Sequence, residues 1–234
     1  ILPEAGDWAI QFDATPFLNY AGNLFNAGAS APGAGWVNSS AIVGKYFVDA
    51  ETAYRAKLNI GMGSVTENML VTDLTSTATP PAEVTDTKKT GTTAITLGGG
   101  MEMRRGNGRL QGFYGGELLF TMASTKTTWT YGNSYDVAGG ISTLSHGVDG
   151  ASDMIETKSG STIGLTLRGF VGCEYFIAPK ISIGAEYGWG LGVSSGSSEV
   201  TMEGTDGSSL ATITDDTANK TSGFGLDSDV MNSA

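Results

Sequence analysis

Ten charged side chains recur at alternate positions within segments that are otherwise apolar and small, and they are the groups best placed to do chemistry. Five are acidic and five are basic: Asp13, Lys45, Arg55, Lys57, Glu102, Arg104, Glu117, Arg168, Glu174 and Glu186. Alternate positions of a strand share one face, so these charges are predicted to face a common interior. Isolated buried charges are very costly, and a matched set should therefore form ion pairs. Such a ladder either fills the interior as a structural element or lines a pore as a selectivity filter.

The remaining polar groups do not assemble into a catalytic, metal or cofactor site. The single histidine, His146, follows Ser145, but a catalytic triad depends on spatial geometry, which adjacency does not supply. Two groups of carboxylates offer the oxygen ligands that calcium prefers, although neither has the spacing of a calcium-binding loop. These groups are Asp149, Asp153 and Glu156, and Asp206, Asp215 and Asp216. The sequence therefore predicts no catalytic residue, no metal, no cofactor and no enzymatic activity.

Two alternating runs within 163–193 are the clearest elements that could position the charges. In the first run, apolar residues such as Leu165 share one face, and Arg168 and Glu174 share the other. The second run alternates Ile, Ala, Tyr, Trp, Leu and Val with glycine, serine and Glu186. A period of two predicts β-strands, and the turn at 178–180 joins them into a hairpin.

Five further strands are predicted upstream from the same alternation. They cover about 7–20, 36–48, 54–62, 93–104 and 110–124. Gly106-Asn-Gly108 predicts a tight hairpin turn, because glycine and asparagine tolerate positive φ. With the hairpin at 163–193, the chain has seven clear strands.

An eighth strand is expected, because single-chain bacterial barrels have an even number of strands. Phe224 and Leu226 favour a strand within 221–233, whereas Asp227 and Asp229 fit a membrane face poorly. Either a weak eighth strand lies in this segment, or the chain is truncated before it.

The connections alternate in length, with a first long connection over 22–35 and long polar loops predicted at 65–92, 125–160 and 195–222. Most of the net charge lies in or beside the three polar loops. Segments 65–92, 124–160 and 195–229 contain 15 acidic and 5 basic residues, which accounts for −10 of the net charge of −11. Bacterial outer-membrane barrels have short periplasmic turns and long outer loops. The pattern therefore predicts a periplasmic N-terminus and acidic extracellular loops. A basic surface for nucleic acid is absent from the sequence.

These features predict an all-β chain, with a single domain over 1–234 that forms an up-and-down antiparallel transmembrane β-barrel of eight strands. The apolar faces run for about ten residues, the length that a tilted strand needs to cross a bilayer. Eight strands leave an interior just wide enough for side chains to fill.

Three short motifs resemble segments of outer-membrane β-barrel proteins of Bacteroidetes-type bacteria, which are Gram-negative. Leu2-Pro-Glu-Ala-Gly-Asp-Trp-Ala-Ile10 and Asp13-Ala-Thr-Pro-Phe-Leu-Asn-Tyr20 resemble their mature N-terminus, and Gly223-Phe-Gly-Leu-Asp227 resembles the segment before their final strand. The resemblance implies a small OmpA- or OmpX-like barrel in the bacterial outer membrane, without a catalytic residue set. No signal peptide is visible at Ile1, so we expect a mature chain.

The function that follows is a small barrel with a charge-filled interior and acidic surface loops, acting as a scaffold or an accessory subunit. Its partners would be outer-membrane lipids and other outer-membrane proteins in a larger complex. One alternative is a porin-like passive channel for small solutes. Another is a soluble lipocalin-like barrel, which would turn Ile181, Ile183, Tyr187 and Trp189 inward and the charges outward.

Overall fold

A computed structural model describes the chain in seven ranges, and every regular element within them is a β-strand. No helix among the described residues is long and apolar enough to span a membrane. The described ranges are 2–12, 41–73, 76–106, 108–133, 152–205, 210–215 and 220–230.

Ten antiparallel strands build one sheet. Their bounds are β1 (Trp8–Phe12), β2 (Ile42–Phe47), β3 (Thr52–Thr72), β4 (Glu83–Arg105), β5 (Leu110–Thr130), β6 (Ser152–Ala178), β7 (Ile181–Gly196), β8 (Ser198–Thr205), β9 (Leu210–Asp215) and β10 (Thr221–Val230).

The strands pair mainly with their neighbours in sequence, in the order β1-β2-β3-β4-β5-β6-β7-β10. One residue separates β7 from β8, and both pair with β6, so they extend one another. β9 returns along β8 and β10 returns along β7. At the level of β1 the sheet is therefore eight strands wide. The eighth predicted strand is present, at Thr221–Val230 within the segment 221–233.

The prediction of long polar loops at 65–92, 125–160 and 195–222 is wrong for much of their length. β3 and β4 pair without interruption up to Thr72 and Glu83, and β5 continues to Thr130. Threonine favours strands because its branched side chain packs well on a pleated surface. These segments are polar on both faces, so they lack the apolar alternation that reveals a strand in a sequence.

The short hairpin turns agree with the predictions. β4 ends at Arg105 and β5 begins at Leu110, and Gly108 between them has a φ of 82°. β6 and β7 are joined at Pro179 and Lys180.

Several predicted features lie outside the described residues. They are the strand continuing after Phe12, the connection 22–35, and the candidate groups Asp13, Ser145, His146, Asp149, Asp206 and Asp216.

The sheet curls strongly, and contacts between strands that are far apart in its order show this. Arg55 on β3 donates a hydrogen bond to Glu186 on β7 across 2.8 Å, although three strands lie between them in the sheet. The concave side is called the inner face below, and the convex side the outer face.

The outer face carries a continuous row of large apolar side chains, with one residue from each of eight strands. Their backbones pair successively from β1 to β10, and every member is exposed. This central apolar row consists of Phe12, Ile42, Leu58, Leu97, Phe120, Leu165, Val193 and Phe224. The same face carries Ile181, Ile183, Tyr187 and Trp189, also exposed, which is the reverse of the arrangement that a lipocalin-like interior requires.

The two ends of the curled sheet approach one another without backbone pairing between them in the described residues. β10 pairs with β7 only from Gly196 down to Tyr187, which leaves the edge of β7 at 181–186 facing β1. A cavity of about 650 Å³ lies between this edge and β1. We call this gap the seam.

An ion pair ties the seam at the end of the short turns. Lys180 Nζ lies 3.3 Å from Asp7 Oδ1. The Glu4 N–H, which donates to this carboxylate, and the Lys180 ammonium lower the pKa of Asp7 below its usual value. A carboxylate with a lowered pKa stabilises the fold above its unfolded pKa, and that contribution is lost as the pH falls through the folded pKa.

Candidate functional site

Nine of the ten predicted charges come together on the inner face. Eight of them are at most 6% exposed as residues or side chains, and Glu174 is partly buried. The tenth, Asp13, lies outside the described residues. Each of the nine residues occupies one of the alternate positions of its strand whose side chains point to the inner face. The alternation that predicted a common face therefore holds from β2 to β7.

One half of the cluster is a chain of four groups centred on Glu102, which is fully buried. Its carboxylate lies 2.8 Å from Lys45 Nζ and 2.8 Å from Arg104 Nη1. Arg104 reaches onward through Nη2 to Glu174 Oε2 at 2.6 Å. Ser182 hydrogen-bonds to the other oxygen of Glu174. Strands β2, β4, β6 and β7 are therefore joined by side chains across the interior.

The other half is a chain of five groups in which Arg168 holds two carboxylates. Arg168 Nη1 donates to Glu117 Oε1 at 2.7 Å and to Glu186 Oε1 at 2.9 Å. Glu186 also accepts from Arg55 at 2.8 Å, and Lys57 Nζ lies 3.9 Å from Glu117.

Arg55 links the two halves into a single network. Its Nη1 atom is 3.5 Å from Glu102 Oε2, and its Nε atom is 4.0 Å from Glu117 Oε2. We call these nine residues the ion-pair cluster. Five are cations and four are carboxylates, so the described part of the cluster carries one excess positive charge.

Four buried phenylalanines surround the cations, and the sequence predictions missed them. The Arg55 guanidinium lies 4.1 Å from the centre of the Phe170 ring, and Lys45 Nζ lies 4.9 Å from the centre of Phe113. Arg104 lies near Phe47 and Phe176. A cation over an aromatic face is attracted by the ring quadrupole. The sequence could have placed two of them on the inner face, because Phe170 and Phe176 lie an even number of residues from Arg168 along β6.

Two acidic residues of β10 have backbone positions that the sequence alone did not assign to a face. Asp227 pairs with Gly190 and Asp229 pairs with Gly188, which are positions of inner-face parity. Phe224 and Leu226 have the opposite parity and are exposed.

Gly188 gives the Arg168 guanidinium the space that it occupies. A Cβ atom at position 188 would lie 2.4 Å from Arg168 Nη2 and 2.5 Å from its Cζ. We expect Gly188→Ala to displace the guanidinium from Glu117 and Glu186 and to lower the free energy of unfolding by about 1–3 kcal/mol. Gly99→Ala is the matched control, because no atom lies within 4 Å of a Cβ there. Equal denaturant midpoints for the two variants would contradict this.

The remaining candidate groups form no site in the described part of the chain. Glu156, predicted as one of three grouped carboxylates, pairs with Lys126 across 2.7 Å on the outer face. No group of histidine, cysteine or carboxylate side chains that could hold a metal ion occurs among the described residues.

Comparisons with protein-family models, with curated proteins and with solved structures found no match to this chain. The described residues form an all-β structure, a curled antiparallel sheet with an apolar outer face and a charged, buried inner face.

Proposed function

We propose that this chain is an integral β-barrel of a bacterial outer membrane, with the ion-pair cluster closing its interior. The central apolar row carries the proposal. One large apolar side chain from each of eight strands lies in register and exposed on the convex side. Soluble proteins rarely expose contiguous apolar patches larger than a few hundred Å². The exposed central apolar row therefore favours contact with lipid.

The height of the apolar surface supports the same proposal. Its top row is Ile60, Ile95, Met122 and Ile163, and its bottom row is Leu110, Tyr175 and Ile183. We call the outer face between these rows the apolar band. Along β6 it runs from Ile163 to Tyr175, which at about 3.3 Å per residue is roughly 40 Å of strand. With the tilt of roughly 40° that barrel strands have, the band spans about 30 Å, the thickness of a bilayer core.

The cluster favours a structural or accessory role over a passive channel. Its side chains reach across the interior from β3 to β7 and from β4 to β6, and almost all are buried. A pore needs a continuous water path, which buried and mutually paired charges obstruct. The long strands that extend above the apolar band are then the part of the protein available to other molecules.

Reconstitution tests the membrane proposal. We expect the purified chain to require detergent for solubility and to insert into phosphatidylcholine vesicles. The inserted form should migrate differently on unheated and on boiled denaturing gels, and its apolar band should be protected from added protease. A chain that stays monomeric in buffer without detergent would overturn the proposal.

Single-channel recording separates the structural role from the channel. We expect no stepwise conductance from the inserted chain in planar bilayers, because paired and buried charges cross the interior at the level of Arg55 and Glu186. Regular conductance steps from the wild-type chain would favour the channel. A protein that co-purifies stoichiometrically in mild detergent would support the accessory-subunit role.

A further inference from the structure

The outer face changes from apolar to polar within a few residues above the apolar band. The row above Ile60 and Ile95 contains Met62, Thr93 and Ser124, and the next row contains Ser64, Gly91 and Lys126. If the chain spans a membrane as proposed above, these rows lie at the level of the lipid headgroups. The inference that follows rests on that proposed function.

A depression of about 450 Å³ lies at this border. Its lining includes Met62, Ser64, Gly91, Thr93, Ser124 and Lys126. Gly91 has no side chain and pairs with Ser64 on one side and Lys126 on the other, so the sheet surface dips between a hydroxyl and an ammonium group. The site is therefore apolar below, at Met62, and able to donate hydrogen bonds above.

Exposed lysine side chains lie beside this depression, although the whole chain has a net charge of −11. Lys126 is exposed and lies 2.7 Å from Glu156. Lys89 is exposed on the same face one row higher, where it pairs in register with Thr66 and Thr128. Lys126 and Lys89 thus lie in adjacent rows of neighbouring strands on one face, where an anionic headgroup would sit.

We propose that this depression binds the phosphate-bearing headgroup of a membrane lipid whose acyl chains lie along the apolar band. Lys126 and Lys89 supply the charge, and Ser64, Thr93 and Ser124 supply hydroxyl donors. Each lysine near a membrane surface adds to the binding of anionic lipid. Glu156 opposes the phosphate, because it shares Lys126 and repels a second anion.

Lipid retention measured by native mass spectrometry tests the site on the full chain. The chain is inserted into phosphatidylcholine vesicles that either contain or lack phosphatidic acid and is then released from them. The lipids that stay bound are identified and counted by their mass. We expect the wild type to retain phosphatidic acid in preference to phosphatidylcholine. The double variant Lys89→Gln with Lys126→Gln should reduce this preference about tenfold. Glu156→Gln should increase it.

Lys88 is the matched control, since it neighbours Lys89 in sequence but lies on the other face and pairs with Glu67. Lys88→Gln should leave the preference unchanged. Equal loss in both lysine variants, or no loss in the double variant, overturns the assignment. Tight binding of inorganic phosphate by the detergent-solubilised chain would show a site for free phosphate and overturns the lipid source. If the chain does not insert into phosphatidylcholine vesicles at all, both the proposed function and this inference are wrong. If it inserts but shows no preference for phosphatidic acid, only this inference is wrong.

Discussion

Replacing Glu102 with glutamine is expected to lower the free energy of unfolding by about 3–5 kcal/mol, the effect of breaking a buried ion pair. Glu102 is fully buried and contacts Lys45 and Arg104 at 2.8 Å each, with Arg55 at 3.5 Å. Glutamine keeps the shape but removes the charge, which leaves three cations facing one another in a buried environment. Urea unfolding in detergent micelles, followed by tryptophan fluorescence, measures the change.

Glu51→Gln is the control for this prediction. Glu51 forms an ion pair with Arg105 that is well exposed on both sides. Exposed pairs contribute about 0–1 kcal/mol, so the same substitution should have little effect here. The double variant Lys45→Met with Glu102→Gln should lose less stability than the two single variants added together, because their effects are coupled. Additive losses, or similar effects at Glu51 and Glu102, would mean that the cluster does not stabilise the fold.

Placing arginine in the central apolar row is expected to cost about 2–4 kcal/mol of stability in a bilayer, as for a charge near the membrane midplane. Leu97 on β4 is the position to change, since it is exposed and belongs to that row. The proposed lipid surface decides the sign of the effect. On a water-facing surface, Leu97→Arg would be close to neutral and would improve solubility.

Thr85→Arg provides the matched comparison on the same strand. Thr85 is exposed and has the same parity as Leu97, but it lies above the apolar band. We expect this variant to insert and unfold like the wild type, whereas Leu97→Arg inserts less completely and unfolds at lower urea concentration. Equal behaviour of the two variants in phosphatidylcholine vesicles would remove the main support for the membrane proposal.

The alternation of apolar and small or charged residues predicted the two faces well where a strand has one apolar face. It located Arg55, Glu117 and Arg168 on the same side before any contact was known, because a period of two fixes the parity of each residue. It could not reveal that Arg168 holds both Glu117 and Glu186. That contact depends on how far the sheet curls, which is a property of all strands together.

The upper halves of the strands could not be located in the same way. Between Val65 and Thr93 the residues are mostly polar on both faces, so periodicity carries no signal there. Their strand structure follows from threonine-rich composition and from pairing with neighbours, as in the hydroxyl contact of 3.2 Å between Thr90 and Thr127. A polar, threonine-rich composition is equally typical of a loop. Only the backbone pairing shows that these residues form strands.

The seam has a consequence for the order in which the protein folds. Each junction from β2 to β7 joins strands that are consecutive along the chain, and such local hairpins form quickly. The seam instead brings β1 close to a strand more than 160 residues away, so the loop-closure entropy opposes this approach most. Until the two ends meet, Lys45, Arg55, Glu174 and Glu186, which line the seam cavity, remain open to water. We therefore expect the approach of the two ends and the dehydration of these charges to be one late step of folding.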